Sequence, residues 1–138
     1  MQLNLSTDYA LRILFMLNGH DRGVSSLDIS KHIGIERDFT LKILRLMKKG
    51  GFVKDGRGKG GGYSLARPLD EITLFQVYDH MEDSMCVNRC LEPDRHCTQK
   101  KDPEKCPGFC FYSDFQKRIE EILGSTTVHD VLKGTYRI

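Results

Sequence analysis

A run of glycines between two short segments restricts the fold of this 138-residue chain more than any other feature. Five of the seven residues from 56 to 62 are glycine, and the other two are Arg57 and Lys59. Residues 52–54 and 63–65 show the short alternating pattern of strands, and two such segments around a glycine turn predict a β-hairpin. A nucleotide-binding P-loop is disfavoured, because its glycines must lead into a helix, whereas a strand follows here.

Three helices are predicted ahead of this hairpin, over residues 7–18, 27–33 and 37–49. Ser6 or Thr7 can cap the first helix. Gly34 ends the second helix as a C-cap glycine does, and a short turn then leads into the third helix. Two helices joined by a short turn and followed by a hairpin form a winged helix-turn-helix. The predicted fold class is therefore mainly α with a small β-hairpin.

The third helix combines an apolar face with a cationic one. Its apolar residues recur at the spacing of a packed helix face: Phe39, Ile43, Leu46 and Met47. The other side carries five cations: Arg37, Lys42, Arg45, Lys48 and Lys49. A helix fits the major groove of DNA, and Arg57 on a thin glycine loop can enter a narrow minor groove. We therefore assign residues 1–68 to a DNA-binding domain, although a lysine-rich helix can also be a merely solvated face.

Charge is distributed unevenly along the chain. Residues 1–67 carry 12 Lys and Arg against 6 Asp and Glu, whereas residues 68–138 carry 9 against 13. The excess of cations indicates a polyanion-binding surface on the first half only. We find no arrangement of nucleophile, base or paired carboxylates that suggests an enzyme. No long apolar run or secretory start is present, so we expect a cytoplasmic protein without a membrane partner.

The second half, residues 69–138, is predicted to hold a cysteine-rich segment and a long last helix. A helix over about 73–81 comes first, the cysteine segment spans 86–110, and the long helix covers about 112–123. A short apolar piece, 128–132, lies near the C-terminus.

All five cysteines lie within 25 residues of one another: Cys86, Cys90, Cys97, Cys106 and Cys110. Their odd number, in a chain without a secretory signal, favours a metal or redox role over a disulfide framework. Structural zinc would use two close pairs of cysteines and leave Cys97 over. An iron–sulfur cluster accepts wider and less regular spacing. The spacing alone leaves zinc, an iron–sulfur cluster and free redox thiols open, and a thiol redox enzyme is disfavoured because the chain has no C-x-x-C.

Three stretches occur in an order that resembles a known family. They are residues 5–12 (Leu-Ser-Thr-Asp-Tyr-Ala-Leu-Arg), the wing over 57–68, and the cysteine cluster ahead of a long last helix. Together they resemble the IscR and NsrR type of bacterial iron–sulfur cluster transcription regulator. The resemblance implies a homodimer with crossing C-terminal helices on a palindromic operator. It also implies a [2Fe–2S] or [4Fe–4S] cluster that senses redox state, oxygen, nitric oxide or iron–sulfur supply, with a structural zinc as the alternative.

The resemblance also implies a set of cluster ligands. The resemblance favours Cys90, Cys97 and Cys106 as the three cysteine ligands. Asp8 occupies the position of the acidic residue with which the partner subunit completes the site in some members. The gaps of six and eight residues exceed the usual gaps of five, and Cys86 and Cys110 are additional thiols, either of which could replace a named ligand. Asp8 has a simpler explanation too, since a carboxylate in a first helical turn is favoured by the helix dipole.

The family places its DNA contacts at the start of the third helix and at the wing arginine. Here those positions are Arg37, Asp38, Phe39, Lys42 and Arg57, and Lys59 projects from the same wing. Lys42 and Arg57 can contact phosphate even where they read no base. Phe39 could instead belong to the core, and Asp38 would need a cytosine amine or a neighbouring cation to be useful beside DNA.

Overall fold

The computed structural model describes residues 2–94, 97–99 and 102–138, so four residues of the cysteine segment lie outside the described part. The helices are α1 (Leu5–Leu17), α2 (Ser26–Ile33), α3 (Arg37–Lys49), α4 (Leu74–Met81), α5 (Pro107–Ser125) and α6 (Val128–Lys133). Strands β1 (Val53–Asp55) and β2 (Tyr63–Leu65) form a two-stranded sheet. Single turns of 3₁₀ helix cover Leu69–Glu71, Arg89–Leu91 and Pro103–Lys105.

Capping groups define both ends of α2, the first helix of the helix-turn-helix. The Ser25 hydroxyl accepts a hydrogen bond from the Asp28 amide at 3.1 Å, which satisfies a free N–H of the first turn. At the other end, Gly34 adopts φ 74°, and its N–H donates to the Ser30 carbonyl at 2.9 Å. A left-handed residue in this position is most easily a glycine, and it turns the chain into α3.

The start of α1 differs from the prediction. The helix begins at Leu5, so neither Ser6 nor Thr7 caps it. Thr7 is completely buried, and its hydroxyl donates to a carboxylate oxygen of Glu82 at the end of α4. The Thr7 hydroxyl is used in a long-range hydrogen bond and not in a local cap, because α4 packs against α1.

The hairpin is antiparallel and is attached to the segment before α2. Val53 lies opposite Leu65, and Asp55 lies opposite Tyr63. Val24 exchanges two backbone hydrogen bonds with Tyr63, at 2.8 and 2.9 Å, which extends the sheet by one bridge. At the crossing, a Cβ on Gly23 would come within 1.8 Å of the Gly61 carbonyl oxygen, so only glycine fits there. The wing is thereby fixed to the helix-turn-helix.

The buried face of α3 agrees with the predicted one at Ile43 and Met47 and differs at its other positions. The buried residues are Thr40, Ile43, Leu44 and Met47, which follow the i, i+3, i+4, i+7 spacing. Phe39 and Leu46 remain 37% and 43% exposed. Thr40 takes a core position although it is polar, because its hydroxyl donates to the Glu36 carbonyl at 3.0 Å. The packed face is therefore rotated toward a side that includes a polar residue.

A single hydrophobic core joins the helix-turn-helix to α4 and α6. Val128 at the start of α6 is fully buried, and its N–H donates to the Ile72 carbonyl at 2.8 Å. The Leu74 N–H donates to the Thr126 carbonyl at 2.9 Å, so the chain returns to the core after α5. α5 itself begins at Pro107, earlier than the predicted residue 112, and none of its residues is buried. No helix within the described residues is both long and apolar enough to cross a membrane.

Candidate DNA-binding surface and cysteine segment

The first turns of α3 expose the side chains that the sequence analysis predicts to contact DNA. Arg37, Asp38 and Lys42 are exposed. The Nε of Arg37 donates to the Ser26 hydroxyl at 3.0 Å, which fixes the guanidinium stem at the start of the helix. The ring of Phe39 is also on the surface, where it meets Tyr9 edge-to-face at a centroid distance of 5.9 Å. Phe39 is thus a surface aromatic with a supporting ring, not a core residue.

The wing carries its cations on exposed positions. Arg57 and Lys59 are both exposed. Arg57 lines a cleft of about 470 Å³ between the hairpin and the loop after α1, together with Lys54, Arg67 and the carboxylate residue Asp21. The Arg67 guanidinium lies over the Phe52 ring at 5.6 Å, so that cation is held in place by an aromatic contact. Three cations on one face of a thin hairpin form a surface suited to phosphates.

A second cleft lies between the wing and α3. It has a volume of about 340 Å³, and its lining includes Arg37 and Leu41 of α3 and Gly60 and Gly62 of the wing. The structure therefore brings the start of α3 and the glycine loop together on one side of the molecule. We call the exposed residues of these two segments the basic surface: Arg37, Asp38, Phe39, Lys42, Arg57 and Lys59.

One cation on α3 forms an ion pair with the hairpin that the sequence does not predict. The Lys48 ammonium lies 2.8 Å from the Asp55 carboxylate of β1, and this hydrogen bond raises the pKa of Lys48 above its ordinary value. The pair connects the end of α3 to the hairpin across the Gly50–Gly51 turn. No local spacing rule predicts the pairing, because it depends on how the hairpin folds back. Lys48 is therefore not a free cation of the basic surface.

The cysteines occupy short irregular segments around the N-terminal part of α5. All five thiols are free; Cys86, Cys90 and Cys106 are partly buried, whereas Cys97 and Cys110 are exposed. Cys90 lies on a 3₁₀ turn, Cys106 immediately precedes α5, and Cys110 is in its first turn. The Cys86 thiol donates to the Leu91 carbonyl at a sulfur–oxygen distance of 3.5 Å.

The thiols fit a thiolate-bound metal group in chemistry. Iron–sulfur clusters and zinc both take cysteine thiolates as ligands, and no disulfide occupies these sulfurs. Within residues 2–94, 97–99 and 102–138, however, no three His, Cys, Asp or Glu side chains lie close enough to share a metal ion. Asp8 forms an ion pair with Arg12 at 2.7 Å on the exposed side of α1. The described part of the chain thus offers suitable donors but does not gather them into one site.

The start of α1 and the cysteine segment meet at Glu82. Its carboxylate accepts hydrogen bonds from the Asn4 backbone N–H and the Asn4 side-chain amide, both at 2.8 Å, and from the Thr7 hydroxyl. Burial raises the pKa of the neighbouring Tyr78, and the negative charges of Asp8 and Glu82 raise it further. The phenol therefore stays neutral, and α1 is held to the residue from which the cysteine segment departs.

Comparisons with known proteins agree with this architecture. The chain is 27% identical over 136 residues to the HTH-type transcriptional regulator IscR of Xenorhabdus nematophila, which covers 97% of this chain and 80% of that protein. It is 37% identical over 93 residues to protein aau3 of Rhizobium meliloti, covering 67% of this chain and 60% of that protein.

Solved structures share the fold over nearly the whole chain. CymR, the global cysteine regulator of B. subtilis, superposes with a TM-score of 0.75 at 20% identity and covers 96% of this chain and 97% of its own. T. potens IscR superposes with a TM-score of 0.70 at 25% identity, covering 98% of this chain and 88% of its own. These likenesses confirm the predicted winged-helix fold.

The family model for Rrf2, described as an iron-dependent transcriptional regulator, matches residues 3–134. Members of this family are transcriptional regulators and not enzymes, as the sequence predicts. Since the match extends over almost the entire chain, and since an exposed helix-turn-helix and wing accompany it, this protein belongs to the Rrf2 family of DNA-binding transcriptional regulators.

Proposed function

We propose that this chain acts as a homodimer that binds a palindromic operator and reports redox state, nitric oxide or iron–sulfur status through a cluster held by its cysteines. The observation that supports it best is the separation of two chemistries on one fold. The basic surface lies on α3 and the wing, whereas five free thiols lie around α5. The first chemistry suits DNA, and the second suits iron.

On DNA, α3 would lie in the major groove, with Arg37, Asp38, Phe39 and Lys42 facing bases or phosphates. Arg57 and Lys59 would approach the minor groove or the adjacent backbone from the wing. Cations supply most of the affinity through phosphate contacts, and base contacts supply the sequence preference. The division into a DNA-binding part, 1–68, and a sensing and dimerising part, 69–138, follows from these roles.

The dimer is supported by the face that α5 leaves uncovered. Phe111 is 63% exposed, and its ring stacks on that of Phe115 at a centroid distance of 6.0 Å. Leu123 of α5 packs against the core, but none of the 19 residues of α5 is fully buried, so the helix leaves much of its apolar surface uncovered within the chain. A second α5 packed against this face would bury both rings, and two-fold symmetry would place one winged helix on each half of a palindrome.

The proposed cluster ligands are Cys90, Cys97, Cys106 and, across the dimer, Asp8. The surface position of Asp8 leaves its carboxylate accessible to a second subunit. Cys90, Cys97 and Cys106 are not gathered at one point within the described residues, so binding of a cluster would have to draw them together. An iron–sulfur cluster bound there would supply a redox-active centre whose potential depends on the hydrogen bonds and solvent around its sulfurs.

Metal and sulfide analysis of protein purified without air tests the sensing proposal. We expect iron and acid-labile sulfide with thiolate-to-iron absorption. Cys97→Ala should lose the iron, whereas Cys86→Ala, a matched removal of another thiol in the same segment, should keep it. A colourless protein with stoichiometric zinc would overturn the sensing role and leave a winged-helix regulator with a structural zinc. Iron retained by Cys97→Ala would show that the ligand set is wrong.

Salt dependence tests the DNA-binding proposal independently of the metal. The logarithm of the operator affinity should fall linearly with the logarithm of salt concentration, by about 0.9 for each phosphate neutralised. A flat dependence would contradict phosphate binding by the basic surface.

A further inference from the structure

The first part of the cysteine segment is a loop closed by its own hydrogen bonds. The Ser84 hydroxyl donates to the Glu92 carboxylate at 2.6 Å and thereby joins the two ends of the loop. The Cys86 thiol donates across the loop to the Leu91 carbonyl. These contacts give residues 84–92 a defined shape, which we call the thiol loop. They do not by themselves attach the loop to the rest of the protein.

A single side chain on α5 binds the thiol loop on both sides of Cys86. The Gln116 side-chain oxygen accepts a hydrogen bond from the Val87 N–H at 2.8 Å. The Gln116 side-chain nitrogen donates to the Met85 carbonyl at 3.1 Å, and to the Glu120 carboxylate at 2.8 Å. Cys86 thus lies between two backbone groups that the same carboxamide holds, while Glu120 fixes the orientation of that carboxamide.

Only a carboxamide of this length satisfies the arrangement. A glutamine side chain offers an acceptor and two donor hydrogens on adjacent atoms, so it can pair with an N–H, a C=O and a carboxylate at once. A glutamate keeps the acceptor and loses the donors, and a leucine loses both while preserving much of the volume. Gln116 is partly buried, as are its three hydrogen bonds, so water replaces them incompletely.

We propose that Gln116 is the positioning residue of the thiol loop: its carboxamide fixes Cys86 and the adjoining backbone on α5. The inference deepens the proposed function, on which its regulatory meaning rests, because it connects the thiol-bearing loop rigidly to the proposed dimer helix. A change at Cys86 would then be transmitted to α5 through Gln116. The hydrogen-bond geometry does not depend on which metal the thiols hold.

The experiment compares three full-length variants with the wild type in the reduced, metal-free form. Gln116→Leu removes the clamp. The double variant Gln116→Glu with Glu120→Gln restores an acceptor for the Val87 N–H and the contact between positions 116 and 120. Arg118→Leu is the matched control, because it removes a polar side chain of α5 that faces solvent and Glu121. Two rates are measured at low denaturant: alkylation of each cysteine by mass spectrometry, and amide exchange at Val87.

For Gln116→Leu we expect both rates, Cys86 alkylation and Val87 exchange, to rise about tenfold, as the loss of two partly buried hydrogen bonds predicts. The double variant should return Val87 exchange close to the wild-type rate, and Arg118→Leu should change neither rate. Amide exchange at the buried Leu14 monitors global unfolding and should be the same in all four proteins. Unchanged rates in Gln116→Leu, or a double variant that behaves like Gln116→Leu, would overturn the inference.

The iron content of the wild type separates this result from the proposed function. Wild-type protein without iron would refute the sensing proposal and leave the two rates, measured without metal, fully interpretable. Wild-type protein with iron but with rates insensitive to Gln116 would refute the positioning role alone.

Discussion

Helices α1 and α5 differ in how much of their surface is buried within the chain. α1 has 13 residues and buries five of them: Thr7, Ala10, Ile13, Leu14 and Leu17. α5 has 19 residues and buries none. α1 lies at the centre, where it packs against α2, α3, α4, α6 and β2. Length and apolar content therefore do not decide which helix stabilises a fold; what matters is how many neighbours the topology brings to its face.

Helix α5 packs Leu123 against the edge of the core and adds polar contacts to this partial burial. Gln116 holds the thiol loop, and the Thr126 hydroxyl donates to the Ile122 carbonyl at 2.8 Å where the helix ends. The rings of Phe111 and Phe115 are only partly covered within the chain, at 63% and 39% exposure. An element held by a few directional bonds can shift as a unit when one of those bonds changes, whereas a helix in the centre of a core cannot. This contrast suits α1 to a fixed DNA-binding frame and α5 to a responsive one.

The largest expected effect comes from truncating α1 in the core. Leu14→Ala should lower the free energy of unfolding by about 2–5 kcal/mol, because it removes fully buried methyl groups and leaves a cavity. Phe111→Ala on α5 removes a larger side chain from an exposed position and should weaken the dimer instead. Urea unfolding at one fixed chain concentration measures the first effect, and sedimentation measures the second. Equal loss of chain stability in both variants, with no change in dimer dissociation, would remove the distinction between the helices.

The same contrast explains which parts of the fold the sequence predicts. α3 and α4 were predicted with nearly their observed bounds, because a helix that faces a core shows a periodic apolar pattern. α5 begins earlier than predicted, since its first turn contains Pro107 and Cys110 and lacks such a pattern. The core face of α3 was harder to predict, because it includes the polar residue Thr40 and leaves Phe39 and Leu46 partly exposed.

Site contacts were harder to predict than elements. The exposed cations of α3 and the wing follow from local composition, and the structure brings the start of α3 close to the glycine loop. The Lys48–Asp55 pair and the Gln116 clamp each join elements whose proximity is a tertiary fact. No spacing rule contains that information. The ligand roles of the cysteines stay a prediction for the same reason.

The next effect concerns the place where α1 touches the cysteine region. Glu82→Leu should lower the free energy of unfolding by about 1–3 kcal/mol, because it leaves the buried Thr7 hydroxyl and the Asn4 N–H without their acceptor. Adding Thr7→Val should cost less than the sum of the two single changes, since the orphaned hydroxyl is then absent. A double-mutant cycle measured by urea unfolding checks this coupling. Strict additivity would mean that Glu82 does not hold α1 in place.

Operator affinity should distinguish the cations of the two regions. Lys42→Ala and Arg57→Ala should each weaken binding by about threefold to tenfold and reduce the salt slope by about 0.9, as the loss of one phosphate contact predicts. Lys133→Ala at the end of α6 removes the same charge outside the basic surface and should leave the slope unchanged. Fluorescence anisotropy over a salt series measures all three. A slope that falls equally in the Lys133 variant would show that net charge, and not the basic surface, determines binding.

The smallest effect is expected where the chain returns from α5 to the core. The Thr127 hydroxyl and N–H both donate to the Asp130 carboxylate, at 2.7 and 3.0 Å, and these bonds hold the pKa of Asp130 below its ordinary value of 3.8. A depressed carboxyl pKa stabilises the folded protein above pH 3.8, and that contribution is lost as the pH falls through the folded pKa. The protection factors of the α6 amides, which are corrected for the intrinsic pH dependence of exchange, should therefore fall below about pH 4 in the wild type. Asp130→Asn should flatten that dependence and leave exchange in α1 unaltered, whereas an acid response that persists in the variant would place the titrating group elsewhere.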